Sequence, residues 1–197
     1  MTCPHLTQLL LMKFSSDENF NFLDIGGEKI DFYLFLKKKF KNIKYILFNQ
    51  KSMMEPFYKI KKEFNYEDLH LIENVQEIFD NKYDFVNFGS CIQYINNYED
   101  LLEKVTNNTN CVFFSGTHLY NSSNEDLKKN IIVQQVHILP TVNYNYFFNR
   151  KNFFKIFKDK NFDLIFESQN LTDPVNYDNF RSEVEDIQYS DFLFIKK

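Results

Sequence analysis

Leu23-Asp24-Ile25-Gly26-Gly27-Glu28 carries the decisive local pattern of this chain. Residues 21–25 are a short apolar run stopped by two glycines, which predicts a buried strand ending in a tight turn. Over residues 28–41, Tyr33, Leu36 and Phe40 recur at helical spacing and predict a helix. Lys37-Lys38-Lys39 lies on that helix and reads as its solvated face. A dinucleotide fingerprint needs G-x-G-x-x-G, yet counting from Gly26 the second and third glycine places hold Glu28 and Asp31. Two acids in this turn repel a pyrophosphate.

Working outward, strands are expected at 44–48, 69–72, 83–88 and 110–115, the last ending at Gly116. Ser52-Met53-Met54-Glu55 has the form of a capping box, with Pro56 in the first turn and Met53, Phe57, Ile60 and Phe64 as one core face. Asn97 is expected to cap a helix with Glu99 and Asp100 in its first turn and Tyr98, Leu101, Leu102 and Val105 as its buried stripe. The alternation of strand and helix points to a parallel sheet with right-handed crossovers. Residues 131–138 read as a strand or extended segment, 151–158 as a helix, 163–168 and 190–195 as closing strands, and 1–20 as a helical lead-in. The polar stretch 169–188 is a candidate lid loop.

The 197 residues are read as a single domain, 44% hydrophobic and 25% charged, enough for a core without disulfide staples. The net charge of −4 argues against nucleic acid as a partner. Cys3, Cys91 and Cys111 are odd in number and widely spaced, which fits a reducing, cytoplasmic compartment and implies no metal site. No window is long and apolar enough for a membrane span, and no signal peptide is read. The 24 Phe and 12 Tyr go with abundant Asn, Lys and Ile, all encoded by AT-rich codons, so aromatic clusters alone are weak functional signals. The four glycines, Gly26, Gly27, Gly89 and Gly116, all fall at or just past the expected ends of strands one, four and five. In open α/β sheets that edge holds the ligand crevice.

A ligand with a positive centre and an amino-acid tail suits the first turn better than a pyrophosphate. S-adenosylmethionine has a sulfonium and an α-ammonium. Asp24 is placed to meet the ammonium, directly or through water, and Gly26 and Gly27 to let the methionine portion lie on the backbone. With 23–27, the stretches Phe88-Gly89-Ser90-Cys91-Ile92-Gln93-Tyr94-Ile95, Ile132-Val133-Gln134, 144–148 and Phe192-Leu193-Phe194-Ile195 resemble the class I S-adenosylmethionine-dependent methyltransferases. More closely, they resemble the methyltransferase family found with bacterial surface-polysaccharide genes. The resemblance runs from about residue 20 to the end. It implies an α/β, Rossmann-like three-layer αβα sandwich with a mostly parallel seven-stranded sheet and an antiparallel C-terminal hairpin. It also implies S-adenosylmethionine as cofactor, S-adenosylhomocysteine as product, and Gly89 and Ser90 at the cofactor.

The family carries an acid at the end of strand two for the ribose hydroxyls. Here Asn49-Gln50 stands there, 25 residues after Asp24. Asn74, past strand three, is a candidate for the adenine. Where the family shows an Asp-Arg pair after strand five, this chain has Ser115-Gly116-Thr117-His118. His118 is the first candidate base for the acceptor and His137 the second, while His5 and His70 lie away from the expected crevice. Tyr94 and Gln93 are placed to face the acceptor, and Cys91 reads as a buried inert thiol. Residues 144–148 read as an aromatic wall over the substrate or as packing, a dimer contact included. The expected activity is methylation of an oxygen on a small sugar-, nucleotide- or phosphate-type intermediate, phosphoramidate included, of capsule polysaccharide synthesis. The alternative is a non-catalytic member of the fold acting as a cofactor-binding or partner subunit.

Overall fold

The computed structural model describes residues 4–122, 130–136, 142–169 and 184–197. Helix α1 (Pro4–Lys13) leads into β1 (Phe20–Ile25), α2 (Ile30–Lys39), β2 (Ile43–Phe48), α3 (Lys51–Phe64) and β3 (Leu69–Ile72). After a 3-10 turn (Val75–Asp80) come β4 (Phe85–Gly89), a short 3-10 turn (Ile92–Tyr94), α4 (Tyr98–Asn108) and β5 (Cys111–Asn121). The chain closes with β6 (Ile131–Val136), β7 (Val142–Asn149), α5 (Arg150–Lys158), β8 (Phe162–Gln169) and β9 (Glu185–Lys196).

The frame runs β3-β2-β1-β4-β5, all parallel. On the far side of β5 lies antiparallel β9, which in turn carries β8. These seven strands and their C-terminal hairpin match the sequence expectation. The sheet nevertheless has nine strands, because a further hairpin of β6 and β7 is added between β5 and α5. Its route is set by the length of β5. Val112–Ser115 pair with β4, and Leu119 and Tyr120 pair with β7, so β7 lies just beyond the carboxyl end of β4.

Two apolar clusters sandwich the sheet. One joins Leu101, Leu102 and Val105 of α4 and Phe153 and Phe157 of α5 to one face. The other joins Leu6 and Leu10 of α1, Tyr33 and Leu36 of α2, and Met54 and Phe57 of α3 to the opposite face. Strand residues such as Phe22, Leu23, Leu47, Phe85, Val86, Phe113 and Phe114 are wholly buried, as parallel strands covered on both faces must be. Described helices include none long and apolar enough to cross a membrane.

Several local expectations are corrected. Gly116 does not end β5. It sits mid-strand at φ +54, where the pairing with β9 shifts register between Phe114 and Thr117. Helix α3 starts one residue before Ser52, with Gln50 at its N-cap and no side-chain cap, so Pro56 lies inside the helix and withholds one backbone donor. Of the expected stripe, Phe57 is buried and Ile60 partly buried against the core, whereas Met53 and Phe64 are exposed and Met54 is buried in place of Met53. A capping box exists instead at Asn74 and Glu77. Asn97 occupies the N-cap of α4 as expected but makes no side-chain cap bond. Tyr83 precedes β4 and makes an isolated bridge to Thr109. Within the candidate lid, Gln169 belongs to β8 and 185–188 to β9, while 170–183 lie outside the described residues.

Candidate functional site

Parallel strands bring Asp24-Ile25-Gly26 of β1 beside Asn87-Phe88-Gly89 of β4, with Asp24 opposite Asn87 and Ile25 opposite Phe88. Asp24 is 2% exposed. One of its oxygens accepts from the Tyr45 hydroxyl and the other from Asn87 Nδ2 at 2.6 Å. Burial raises its pKa, opposed by those two hydrogen bonds. A Cβ on Gly27 would collide with that carboxylate, so Gly27 makes the space in which Asp24 ties β1 to β2 and β4. Asp24 thus also supports the turn from beneath, while each of its oxygens has used one acceptor position. The exposed acid of the turn is Glu28, whose charge reaches both Tyr94 and Cys91.

Gly26 turns the chain at φ +80 with its Cα against the Cys91 side chain and the Gly89 carbonyl. Gly89 closes β4, and Ser90 follows at φ +52, its N–H donating to the Phe88 and Ser115 carbonyls. The Cys91 thiol donates to the Ile25 carbonyl at 3.2 Å, and burial pushes its pKa far up, which fits the inert thiol expected.

Asn49 stands at the end of β2 and donates to the Gly27 carbonyl at 3.0 Å while accepting from Gln50 N–H at 2.7 Å. It braces the glycine turn, and each end of its amide keeps one hydrogen-bonding position free. Gln50 is exposed beside it at the N-cap of α3. Asn74 accepts from Gln76 N–H at 3.0 Å as the cap of its 3-10 turn, on the exposed surface past β3. Asp24, Gly26, Gly27, Asn49, Gly89 and Ser90 thus converge at one sheet edge, with Gln50 and Asn74 on its β2 and β3 flank.

On the β5 flank the Gly116 bulge organises a second group. Gly116 N–H donates to Asp191 Oδ1 at 2.8 Å, and His5 Nδ1 lies 3.0 Å from Asp191 Oδ2. His5, expected away from the crevice, is thereby tied through one carboxylate to the Gly116 bulge of β5. Gln93 donates to both the Ser90 carbonyl, at 3.0 Å, and the Gly116 carbonyl, at 3.2 Å. Tyr94 is partly exposed beside it. Burial raises the phenol pKa, opposed by the amides of Asn145 and Gln93, so the hydroxyl keeps its proton.

His118 is 4% exposed, with its ring stacked on Phe147 at 4.3 Å and tilted against Tyr189 at 4.8 Å. Burial lowers its pKa to about 4, and Nδ1 has no partner. An imidazole so enclosed is neutral at pH 7 and walled off by rings. His137 lies outside the described residues. Within 144–148, Phe147 and Phe148 pack into the molecule, Tyr144 is exposed, and Asn145 turns toward the Tyr94 side. A separate pocket of about 670 Å³ lies behind the hairpin, between the start of α4, Tyr146 and α5.

Sequence reasoning missed Tyr45, Asn87, Asn145 and Asp191. For Asn87 a signal existed: Asn87-Phe88-Gly89 repeats the spacing of Asp24-Ile25-Gly26. Asp191 and Asn145 had none, since their places depend on long-range strand pairing.

No family model and no curated protein sequence matches this chain. Solved structures do. A methyltransferase of Clostridium acetobutylicum, S-adenosylmethionine-dependent, aligns at TM-score 0.61 and 10% identity over 97% of this chain and 89% of its own. Magnesium protoporphyrin IX methyltransferase of Synechocystis, with bound S-adenosylhomocysteine, aligns at 0.64 and 12% identity over 98% of this chain and 81% of its own. The N-terminal domain of EvdMO1, in the presence of S-adenosylhomocysteine and D-fucose, aligns at 0.62 and 13% identity over 90% of this chain and 76% of its own. At these identities the likeness is one of fold: the chain has the Rossmann-like α/β architecture of S-adenosylmethionine-dependent methyltransferases.

Proposed function

We propose that the chain is an S-adenosylmethionine-dependent methyltransferase that methylates an oxygen of a small acceptor. The observation that carries the reading is the Asp24–Gly27 turn. It stands at the carboxyl end of β1, in register with Asn87–Gly89, on a frame whose solved counterparts include methyltransferases with S-adenosylhomocysteine bound. The residues fit that cofactor. Gly26 at φ +80 leaves backbone rather than side chain at the turn, and Glu28 supplies an exposed negative charge for an ammonium. Asp24 and Asn49 hold the turn from below and from β2, Gly89 and Ser90 border it on β4, and Gln50 and Asn74 flank the nucleoside side.

When bound, the cofactor supplies an activated methyl group and its own leaving group. The protein's task is to bind and orient the two reactants and keep water out. Tyr94 and Gln93 border the acceptor. His118 and His137 are retained as candidate bases, with His118 needing movement of Phe147 or Tyr189 to be reached. A sugar-, nucleotide- or phosphate-type intermediate of surface-polysaccharide synthesis is the acceptor class that the sequence resemblance adds. The second reading, a non-catalytic subunit, is favoured by one observation: Asn49 stands where the ribose acid is expected, and its amide is already bonded to the Gly27 carbonyl.

Calorimetric titration of S-adenosylhomocysteine and S-adenosylmethionine, with NAD as control, tests the reading. Micromolar binding of the first two and none of NAD is expected. Glu28→Gln should weaken it roughly tenfold or more, the scale of a charge-assisted hydrogen bond. Absence of binding at millimolar ligand sinks the enzyme reading and leaves the partner subunit.

A further inference from the structure

We propose that the β6–β7 hairpin is a self-association surface, on which β6 pairs antiparallel with β6 of a second copy of this chain across a two-fold axis and joins two nine-stranded sheets into one. The proposal goes beyond the methyltransferase reading and does not depend on it.

The edge of a sheet is a row of unpaired backbone groups, and folded proteins guard such rows with short strands, bulges or charge. The edges at β3 and β8 are guarded. β3 has four residues. β8 shifts register between Leu164 and Phe166, and its exposed Leu164 and Ile165 lie between Asp163 and Glu167. The remaining edge, β6, has none of these devices. Its six residues, Ile131-Ile132-Val133-Gln134-Gln135-Val136, pair with β7 in unbroken register and contain no charge and no proline. β6 ends the strand order, and among the described residues no strand lies on its outer side.

Directly opposed residues of antiparallel strands share a face. Ile132, Gln134, Tyr144 and Val142 therefore lie on one face of the hairpin, and all four are exposed, Ile132 and Tyr144 at 65% each. Exposed apolar and aromatic side chains gathered on one face mark an interaction surface. Charge selects what covers it. The chain is 25% charged with a net charge of −4, yet residues 130–149 hold no Asp, Glu, Lys or Arg. A two-fold contact sets a surface against itself, so any net charge on it would face its like. Two acidic copies repel over most of their surface, and this hairpin is where they meet without opposing charges. Antiparallel pairing of a strand with its own copy also matches the N–H and C=O row of one edge to the same row of the other. It closes after two copies and consumes both open edges, instead of continuing into a fibre.

The test is sedimentation velocity of the full chain over a range of concentrations. A dimer of micromolar affinity is expected, and salt should not dissolve it, since the contact holds no ion pair. Gln134→Lys and Tyr144→Lys should each weaken it roughly tenfold or more, because each sets a charge against its own copy, with the thermal melt unchanged. An equal mixture of Gln134→Lys and Gln134→Glu chains should pair again, a rescue that a contact with any other surface would not give. Ile165→Lys, on the comparably exposed β8, should leave the dimer intact. Hydrogen exchange of the wild-type chain needs no variant and decides the matter if a lysine disturbs the fold: β6 amides should exchange more slowly in concentrated than in dilute solution. A chain that stays monomeric up to its solubility limit overturns the proposal. So does a dimer indifferent to both lysines, a dimer lost with Ile165→Lys, a mixture that fails to pair, or β6 exchange independent of concentration. A monomer that binds phosphatidylcholine vesicles, and loses them with Tyr144→Lys, assigns the hairpin to lipid and overturns it equally.

Discussion

His118 shows how burial changes what a residue type can do. Closed between Phe147 and Tyr189, its imidazole titrates near 4 against an ordinary 6.5. The unfolded chain therefore takes up a proton at higher pH than the folded one. The stability that His118 preserves is fully present above pH 6.5 and is lost as pH falls toward 4, a loss of about 3 kcal/mol at most. His118→Phe, which keeps the aromatic sandwich, should flatten that part of the curve in urea denaturation at pH 4.5 and 7. An unchanged acid limb would show that the ring is solvated. Asp24 carries the opposite lesson. Its residue type and position suggest a ligand contact, and the structure adds a structural duty: Tyr45 and Asn87 each donate to one of its oxygens, and a side chain at Gly27 would collide with its carboxylate.

At the scale of elements, β5 shapes the candidate site. Its first half belongs to the parallel frame and its second half carries the added hairpin, with Gly116 at the joint. Positive φ at Gly116 produces the bulge, and its N–H and C=O hold Asp191 and Gln93 on opposite sides of the strand. Gly116→Ala would place a Cβ against the Tyr189 hydroxyl and Ser90 Oγ at a φ that disfavours side chains. A loss of about 1–3 kcal/mol is expected in chemical denaturation. A neutral result would mean that the strand can relax to an ordinary pairing. The hairpin itself is fastened by Phe148, which packs edge-on against Tyr98 of α4 and tilted against Phe153 of α5.

For the whole molecule, stability should be graded across the sheet. Val86, Phe88, Val112, Phe113 and Phe114 are completely buried between the two helical layers, whereas β3 is a short edge and β8 exposes Asp163–Ile165. Native-state hydrogen exchange should find the slowest amides in β4 and the first half of β5, and the fastest strand amides in β3 and β8. Uniform protection across the sheet would contradict that gradient.

The order of strands and helices was legible in the sequence because each element carries its own period. Apolar runs mark strands buried on both faces, and Tyr33, Leu36 and Phe40 mark one face of α2. The glycine turn after β1 was legible for the same reason, since positive φ at Gly26 is a local demand. What the period cannot carry is phase against the sheet, which shifted the buried face of α3 to Met54, or the fate of a glycine inside a strand, which depends on what pairs on either side. The candidate site divides along the same line. Asp24, Gly26, Gly27 and Gly89 announce themselves through spacing in the chain. Tyr45, Asn87, Asp191 and the committed amide of Gln93 acquire their roles through hydrogen bonds between elements far apart in sequence, and no local pattern encodes those pairings.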